Sequence, residues 1–452
     1  MIEAITLSHL AQTYGGTLLY PDCAFSSVST DTRTLVDGQL FVALRGDNFD
    51  AHDFVESAAL KAVGLVVERP YKQLNRPQWV VADTTQALAQ IALMARQQFS
   101  GPLIAVTGSS GKTSVKEMIA AILARLGPTL ATSGNLNNHI GVPLTLLSLD
   151  KSHRYAVIEM GASGPGEIAY LCAIARPQIS LVNNVMPAHI EGFGSLEAIA
   201  DTKSDIYHSL PASGVAILNS DERWSRKWRN KVSCDRVWDF SLLDRNASFR
   251  ADAIEDLQGT ASRFVLCTPQ GEAAVHLPLP GRHNVANAVA AAACAMAAGA
   301  GLDAVASGLA GLKPVRGRME ARAGRGGSRV LDDTYNANPG SVKAAIDVLA
   351  TRPGRRVAVL GDMGELGVGA GQLHREVGAH AHLRGIDELW AVGRYAGSIA
   401  QGFGQQTRVV QSKAALAAEL VPTLDGDTTV LVKGSRSSGM EDVVNLIIEE
   451  QG

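Results

Sequence analysis

Between the short apolar run Leu103-Ile104-Ala105-Val106 and a stretch that sets Val115, Met118, Ile119, Ile122 and Leu126 at helical spacing lies Thr107-Gly108-Ser109-Ser110-Gly111-Lys112-Thr113. The first run reads as a buried strand and the last as one face of a helix. Strand, glycine-rich turn and helix start, in that order, dictate much of what surrounds them. Glycines let successive backbone N–H groups turn inward, and a helix N-terminus adds partial positive charge, so the turn suits phosphate oxygens. Gly108, Ser109, Ser110 and Gly111 supply that cradle. Lys112 can reach the outer phosphates as a cation, and the Thr113 hydroxyl can sit on a magnesium ion. The usual spacing has glycine five residues before Gly111, where Val106 stands; Gly108 is displaced by two. A ligand-free strand-to-helix connection is the alternative. The Gly-Lys-Thr context argues instead for a nucleoside triphosphate.

The chain has 452 residues, enough for roughly two to four domains with full cores. Charged residues make up 19% and aromatics 5%, with 45 glycines, which suits a loop-rich α/β enzyme. A formal net charge of −3 and the lack of Lys/Arg runs argue against nucleic acid, so anionic ligands need local sites. Cys23, Cys172, Cys234, Cys267 and Cys294 are scattered and never form C-x-x-C, as expected of reduced thiols used as small buried hydrophobes in the cytoplasm. Met1-Ile2-Glu3-Ala4 has no basic, apolar leader pattern. The most apolar window, 288–300, is too short to span a bilayer and reads as a packed helix.

Strand and helix patterns alternate along the chain. Residues 1–99 suggest strands at 40–44, 65–67 and 79–81 with helices at 53–63 and 85–99, and Ser100-Gly101-Pro102 is a break. Residues 100–313 suggest strands at 103–106, 155–160, 179–185 and 214–219 and a last helix from 284 to 300. Residues 314–452 suggest strands near 329–333, 355–360, 387–392 and 428–432, with helices at 340–350, 372–383 and 440–450. The expected architecture is three α/β domains, the central one a mostly parallel sheet with ligands outside the carboxyl ends of its strands. Lys313-Pro314-Val315-Arg316-Gly317 reads as a hinge.

Glu159, at the end of the strand Tyr155-Ala156-Val157-Ile158, is placed to hold Mg²⁺, against the alternative of a surface or capping carboxylate. His189 follows the next strand, where metal ligand and structural histidine weigh equally. Lys203, between Asp201 and Asp205, reads locally as an ordinary solvated lysine. Three polar, glycine-rich stretches begin at Thr132, Asp332 and Val432. Each alone could be turn chemistry, but three at strand ends suggest one cleft.

Taken jointly, Thr-Gly-Ser-Ser-Gly-Lys-Thr, Gly134-Asn135-Leu136-Asn137-Asn138-His139-Ile140-Gly141-Val142-Pro143, Glu159-Met160-Gly161-Ala162, Ala188-His189-Ile190-Glu191 and Gly281-Arg282-His283-Asn284-Val285-Ala286-Asn287 resemble the Mur ligases of peptidoglycan synthesis. Asp332-Asp333-Thr334-Tyr335-Asn336-Ala337-Asn338-Pro339, Leu360-Gly361-Asp362-Met363-Gly364-Glu365-Leu366-Gly367 and Val432-Lys433-Gly434-Ser435-Arg436 point to the member that adds D-alanyl-D-alanine to a UDP-N-acetylmuramoyl-tripeptide. The resemblance implies a uridine-nucleotide domain, a central ATPase-type domain and a C-terminal Rossmann-like domain. It implies Lys112 and Thr113 on ATP and a first Mg²⁺ shared with Glu159, His189 on a second Mg²⁺, and Lys203 carried as a carbamate that ligates metal. Asn284 and Asn287 would flank the adenine, Arg318 approach the γ-phosphate and Asp333 the ribose. Asn137 and Asn138 would face the muramoyl-peptide, and Ser29, Asp31, Arg33 and Asn48 the uridine nucleotide. Tyr335, Asn336 and Asn338 would lie on the substrate side. In the uridine loop, Ala51 stands where the family commonly has glycine. The implied chemistry is amide ligation through an acyl phosphate by a cytoplasmic monomer with closure near 312–318, without membrane insertion. The rivals are a family ligase adding glutamate or a diamino acid, the latter typically showing an Asp-Asn-Pro-Arg that is missing here, a folylpolyglutamate synthase and a non-catalytic regulator.

Overall fold

The strand Leu103–Thr107 is wholly buried and paired in parallel on both sides, with Tyr155–Glu159 on one flank and Ile179–Val182 on the other. The computed structural model that shows this describes residues 1–46, 48–188, 190–313, 315–404 and 407–449. His189 and Pro314, singled out above, and Asp47 of the uridine loop lie outside the described residues.

Around Leu103–Thr107 a nine-stranded sheet runs in the order Thr129–Ala131, Tyr155–Glu159, Leu103–Thr107, Ile179–Val182, Val215–Asn219, Arg236–Ser241, Phe249–Asp256, Ser262–Thr268, Gly271–Leu277. The first seven are parallel and the last two antiparallel. Because the chain leaves Leu103–Thr107 in one direction for Thr129–Ala131 and later in the other for Ile179–Val182, a crevice opens at its carboxyl end. Helices Lys112–Leu123 and Arg282–Ala297 bury their apolar faces against one side of the sheet. Helices Gly141–Leu147, Glu167–Ala175 and Leu196–His208 cover the other.

A five-stranded sheet precedes it, ordered Thr17–Leu19, Gln78–Val80, Gly64–Val67, Leu40–Val42, Val28–Ser29. Its helix Thr84–Gln97 starts where the Asp83 carboxylate accepts N–H bonds from Thr85 (2.7 Å) and Gln86 (3.1 Å), a cap of the usual acidic type. The buried face of that helix, with Leu88, Ile91 and Ala95, shares one apolar core with Leu146, Leu171 and Cys172 of the nine-stranded unit. Arg96, buried at the helix end, donates to the carbonyls of Ala175 (2.7 Å), Phe99 (2.8 Å) and Arg176 (3.0 Å). Burial lowers its pKa to about 10. A six-stranded sheet follows, ordered Glu320–Ala323, Arg329–Asp333, Thr428–Lys433, Arg355–Leu360, Glu388–Val392, Thr407–Val410, antiparallel only at the first pair. Helices Pro339–Ala350, Ala370–Leu383 and Ala396–Phe403 pack on one face, Lys413–Leu420 and Glu441–Ile447 on the other.

Some expectations shift. The helix awaited at 53–63 is a 3₁₀ turn, Ala51–Phe54, and a single turn, Val55–Ala58. It stops there because the Val63 N–H bonds to the Gln39 carbonyl (2.9 Å) and commits the chain to the next strand. Ala51 itself sits in a helical turn, so the glycine usual there is not required by the backbone. The strand awaited at 179–185 ends at Val182, since Asn183 and Asn184 turn to the glycine loop. Four cysteines are buried as expected; Cys23 is only half-buried, and all five are free thiols.

Candidate active site

The glycine loop is tied to the neighbouring strand end before any ligand arrives. Ser109 and Ser110 donate backbone N–H bonds to the Asn184 carbonyl (2.9 Å) and side-chain oxygen (2.8 Å), and the Asn183 amide donates to the Ser110 carbonyl (3.0 Å). Gly111 caps helix Lys112–Leu123 at φ 76°, a left-handed conformation, and a Cβ there would lie 2.7 Å from both Asn183 Nδ2 and Asn287 Oδ1. Asn287 accepts from the Asn183 amide (2.9 Å), while Asn284 holds the Pro280 carbonyl (2.8 Å) at the start of helix Arg282–Ala297. The loop is therefore rigid, with the Lys112 ammonium folded back onto the Gly108 carbonyl (2.8 Å). Burial lowers the Lys112 pKa, and Glu159 opposes that shift.

Beside the loop, the Thr113 hydroxyl donates to Glu159 Oε2 (2.8 Å) and accepts from Arg318 Nη2 (2.7 Å). Glu159 is buried and its other oxygen accepts from the Asn137 amide (2.7 Å). A hydroxyl and a carboxylate meeting at the helix start are hard oxygen donors of the kind Mg²⁺ takes, so the residues present fit that ion. Among the described residues no cluster of three or more His, Cys, Asp and Glu side chains accompanies them. Arg318 lies at the end of the 312–318 segment that leads into the six-stranded unit. Its guanidinium lies over the Tyr335 ring (4.2 Å), and its Nε is buried with no partner among the described residues, leaving a spare donor suited to an anion. Asp333 pairs with the buried Lys433 (2.6 Å) and accepts from the Met319 N–H (3.1 Å).

These groups line a cleft of about 790 Å³ between the nine- and six-stranded sheets. The sequence candidates Ser109, Ser110, Gly111, Lys112, Thr113, Asn137, Asn138, Glu159, Asn284, Asn287, Arg318, Asp333, Tyr335, Asn336 and Asn338 all border it. Two carry local jobs as well: Asn138 accepts from the N–H groups of Ile140 (3.2 Å) and Gly141 (2.9 Å), and Asn338 caps helix Pro339–Ala350 in a reciprocal box with Ser341. Gly108 belongs to the loop but does not border the cleft. Ser29, Asp31, Arg33 and Asn48 sit elsewhere, on the five-stranded unit. There Arg33 forks onto Asp31 (2.6 Å) in the open, and that bond holds the Asp31 carboxyl down at about 2. Lys203 corrects the local reading of a solvated lysine. It is buried on helix Leu196–His208, with no hydrogen-bond partner among the described residues, and burial brings its pKa well below the usual lysine range, the nearby Lys112 charge adding to this. Residue-by-residue reading missed Asn183, Asn184 and Lys433. Their signal was an amide pair and a lone lysine at strand carboxyl ends.

Residues 106–295 match the family model of the Mur ligase middle domain, and residues 317–436 that of the Mur ligase, glutamate ligase domain. The chain belongs to the Mur ligase family. This Mur ligase is 46% identical, over 99% of both chains, to the UDP-N-acetylmuramoyl-tripeptide--D-alanyl-D-alanine ligase of Escherichia coli (strain K12). Its fold matches MurF from Acinetobacter baumannii with a TM-score of 0.92 at 37% identity, covering 98% of each chain. MurF ligase from Thermotoga maritima, solved in complex with ADP, matches with a TM-score of 0.83 at 28% identity over 93% of this chain and 96% of the other. The six-stranded unit of this Mur ligase thus carries Arg318 onto the phosphate loop of its middle domain.

Proposed function

We infer that this Mur ligase joins D-alanyl-D-alanine to a UDP-N-acetylmuramoyl-tripeptide at the expense of ATP, making the pentapeptide precursor of peptidoglycan. The observation that carries the reading is the three-way junction of Thr113, Glu159 and Arg318, where side chains from two folding units meet at the glycine loop. A free carboxylate is a poor electrophile. The tripeptide's terminal carboxylate attacks the γ-phosphorus of ATP, ADP leaves, and the resulting acyl phosphate is attacked by the dipeptide amine, expelling phosphate. Lys112 and Arg318 neutralise charge on the transferring phosphoryl group, and the backbone donors of the glycine loop hold the remaining phosphates. Holding three reactants in line is worth up to roughly 7–11 kcal/mol. Bound Mg²⁺ supplies Lewis-acid neutralisation of phosphate charge, and Thr113 and Glu159 are the described residues that would hold it.

The finer assignments belong to the same proposal. Two Mg²⁺ ions serve the site, with His189 on the second. Lys203 is carbamylated, a reaction that needs the neutral amine its burial favours. Asn284 and Asn287 flank the adenine, Asp333 takes the ribose, Asn137 and Asn138 face the muramoyl-peptide, and Ser29, Asp31, Arg33 and Asn48 hold the uridine nucleotide. The division 1–99, 100–313 and 314–452 assigns these tasks in order, supported by one large sheet in each, of five, nine and six strands. The enzyme works as a cytoplasmic monomer and, through the cell wall, serves cell shape and division. No helix among the described residues is long and apolar enough to cross a membrane. Phosphate release is the test. It should require both the UDP-linked tripeptide and D-alanyl-D-alanine, and release with glutamate or a diamino acid in place of the dipeptide refutes the assignment.

A further inference from the structure

One helix forms the seam between the nine- and six-stranded units. Helix Pro339–Ala350 begins at the Tyr335–Asn338 segment of the cleft and runs about 18 Å along the middle unit. Gly340 lies against Met186, Ala344 borders the cleft, and Val348 lies so close to Gly281 that a Cβ there would be 2.7 Å from Val348 Cγ2. Positions 340, 344 and 348 share one face of the helix, and the chain beyond it, Thr351 and Arg352, reaches the turn of the antiparallel hairpin Phe249–Asp256 and Ser262–Thr268.

That outer contact is closely built. Arg352 is 5% exposed, and its Nη1 donates to the Gln258 carbonyl (3.2 Å) across the seam. Gly259 allows the approach: a Cβ there would lie 2.6 Å from Arg352 Nε and 2.9 Å from the Thr351 hydroxyl. Gln258 and Gly259 both take left-handed φ, 55° and 66°, which presents the carbonyl outward, and the Gly259 N–H is held by the Asp256 carboxylate. The Nε of Arg352 is buried without a partner among the described residues. Among the described residues this guanidinium therefore has its one hydrogen bond in the other unit, with Asp256 as the favourable charge.

A buried cation served by one acceptor is poor as pure stabilisation, because separating the units would return it to water. As a reversible catch it is well suited. We propose that Arg352 and the 257–260 turn form a latch, remote from the 312–318 joint, that fixes the closed pose in which Arg318 meets Thr113. The latch pins the far end of the helix whose near end borders the cleft, adding to the Gly340–Met186 and Val348–Gly281 contacts along the seam. Arg352 is thus a positioning residue that acts through the pose of Arg318 and Asp333. The inference rests on the ligase reading for its kinetics but not for its binding measurement.

Arg352→Ala, Arg352→Lys and Gly259→Ala are compared with the parent enzyme in phosphate release and in binding of a non-hydrolysable ATP analogue. Loss of a catch lowers the closed fraction, so apparent affinity falls while saturated turnover survives: KM for ATP and the analogue's Kd rise about five- to tenfold, with kcat within twofold, for Arg352→Ala and Gly259→Ala. Arg352→Lys recovers part of the loss, and the double variant Arg352→Ala/Gly259→Ala is no worse than either single one. Small-angle scattering with saturating analogue shows less compaction in both Ala variants. A fall in kcat at fixed KM means mere loss of folded enzyme and overturns the latch, as does analogue binding unchanged in both Ala variants. Should Arg352→Ala fail to fold, Gly259→Ala gives the same reading from the other side. If the parent releases phosphate with a different amine, the ligase reading fails, yet analogue binding still judges the latch.

Discussion

Arg318 and Lys203 carry the most local consequence. Arg318 spends one nitrogen on Thr113 and keeps a buried Nε in reserve. Arg318→Ala should lower kcat roughly 10²–10³-fold, the cost of removing one preorganised donor, while thermal melting stays within a few degrees of the parent. Steady-state phosphate release alongside calorimetry checks both. Lys203→Ala should cripple turnover, with partial recovery on adding short-chain carboxylic acids. Full activity without them removes the carbamate from the account. The lysine also shows where local reading fails. Its neighbours Asp201 and Asp205 look like partners in sequence, but Asp201 bonds Lys227 and Lys231 instead, and Lys203 turns inward. Local charge pattern does not reveal that; the family resemblance points away from a solvated lysine, and the packing shows its burial.

For single elements, the glycine loop and one buried histidine make separate predictions. Gly111→Ala forces a Cβ onto two asparagine side chains in a left-handed position, so affinity for an ATP analogue should drop at least about tenfold with the fold intact, as titration calorimetry would read. His374 accepts the Met363 N–H at Nε2 (2.8 Å), so its proton sits on Nδ1, facing the Ala370 carbonyl (2.7 Å). Burial lowers its pKa below the ordinary 6.5, the Ala370 bond opposing. The folded state then binds fewer protons than the unfolded one, so stability should decline as pH falls from about 6.5 toward that lowered value. Melting curves between pH 7.5 and 5 should slope less for His374→Gln. Which elements the sequence discloses follows from pattern length. Buried parallel strands such as Leu103–Thr107 and Val215–Asn219 are continuous apolar runs bounded by glycine or polar residues, so they are legible. The hairpin strands Phe249–Asp256, Ser262–Thr268 and Gly271–Leu277 hide because their inward face is small and interrupted, and a bulge between Asp252 and Glu255 breaks the register. The loop motif marks one end of the cleft, whereas the Arg352 contact, between residues 94 apart, leaves no local trace.

At the scale of the whole molecule, the shared core under helix Thr84–Gln97 matters most. Leu88 and Ile91 pack with Leu146 and Leu171, and Arg96 bolts the helix end to Ala175 and Arg176. A chain begun at residue 100 should therefore expose that face and aggregate on expression, as sedimentation of the lysate would reveal; soluble, monodisperse material refutes the expectation. On the proposed reading, the platform that receives the nucleotide-tagged acid and the platform that energises it would be mechanically one piece. Relative travel during a catalytic round would then fall to the remaining third of the polypeptide, with the electrophile held still and the amine delivered to it.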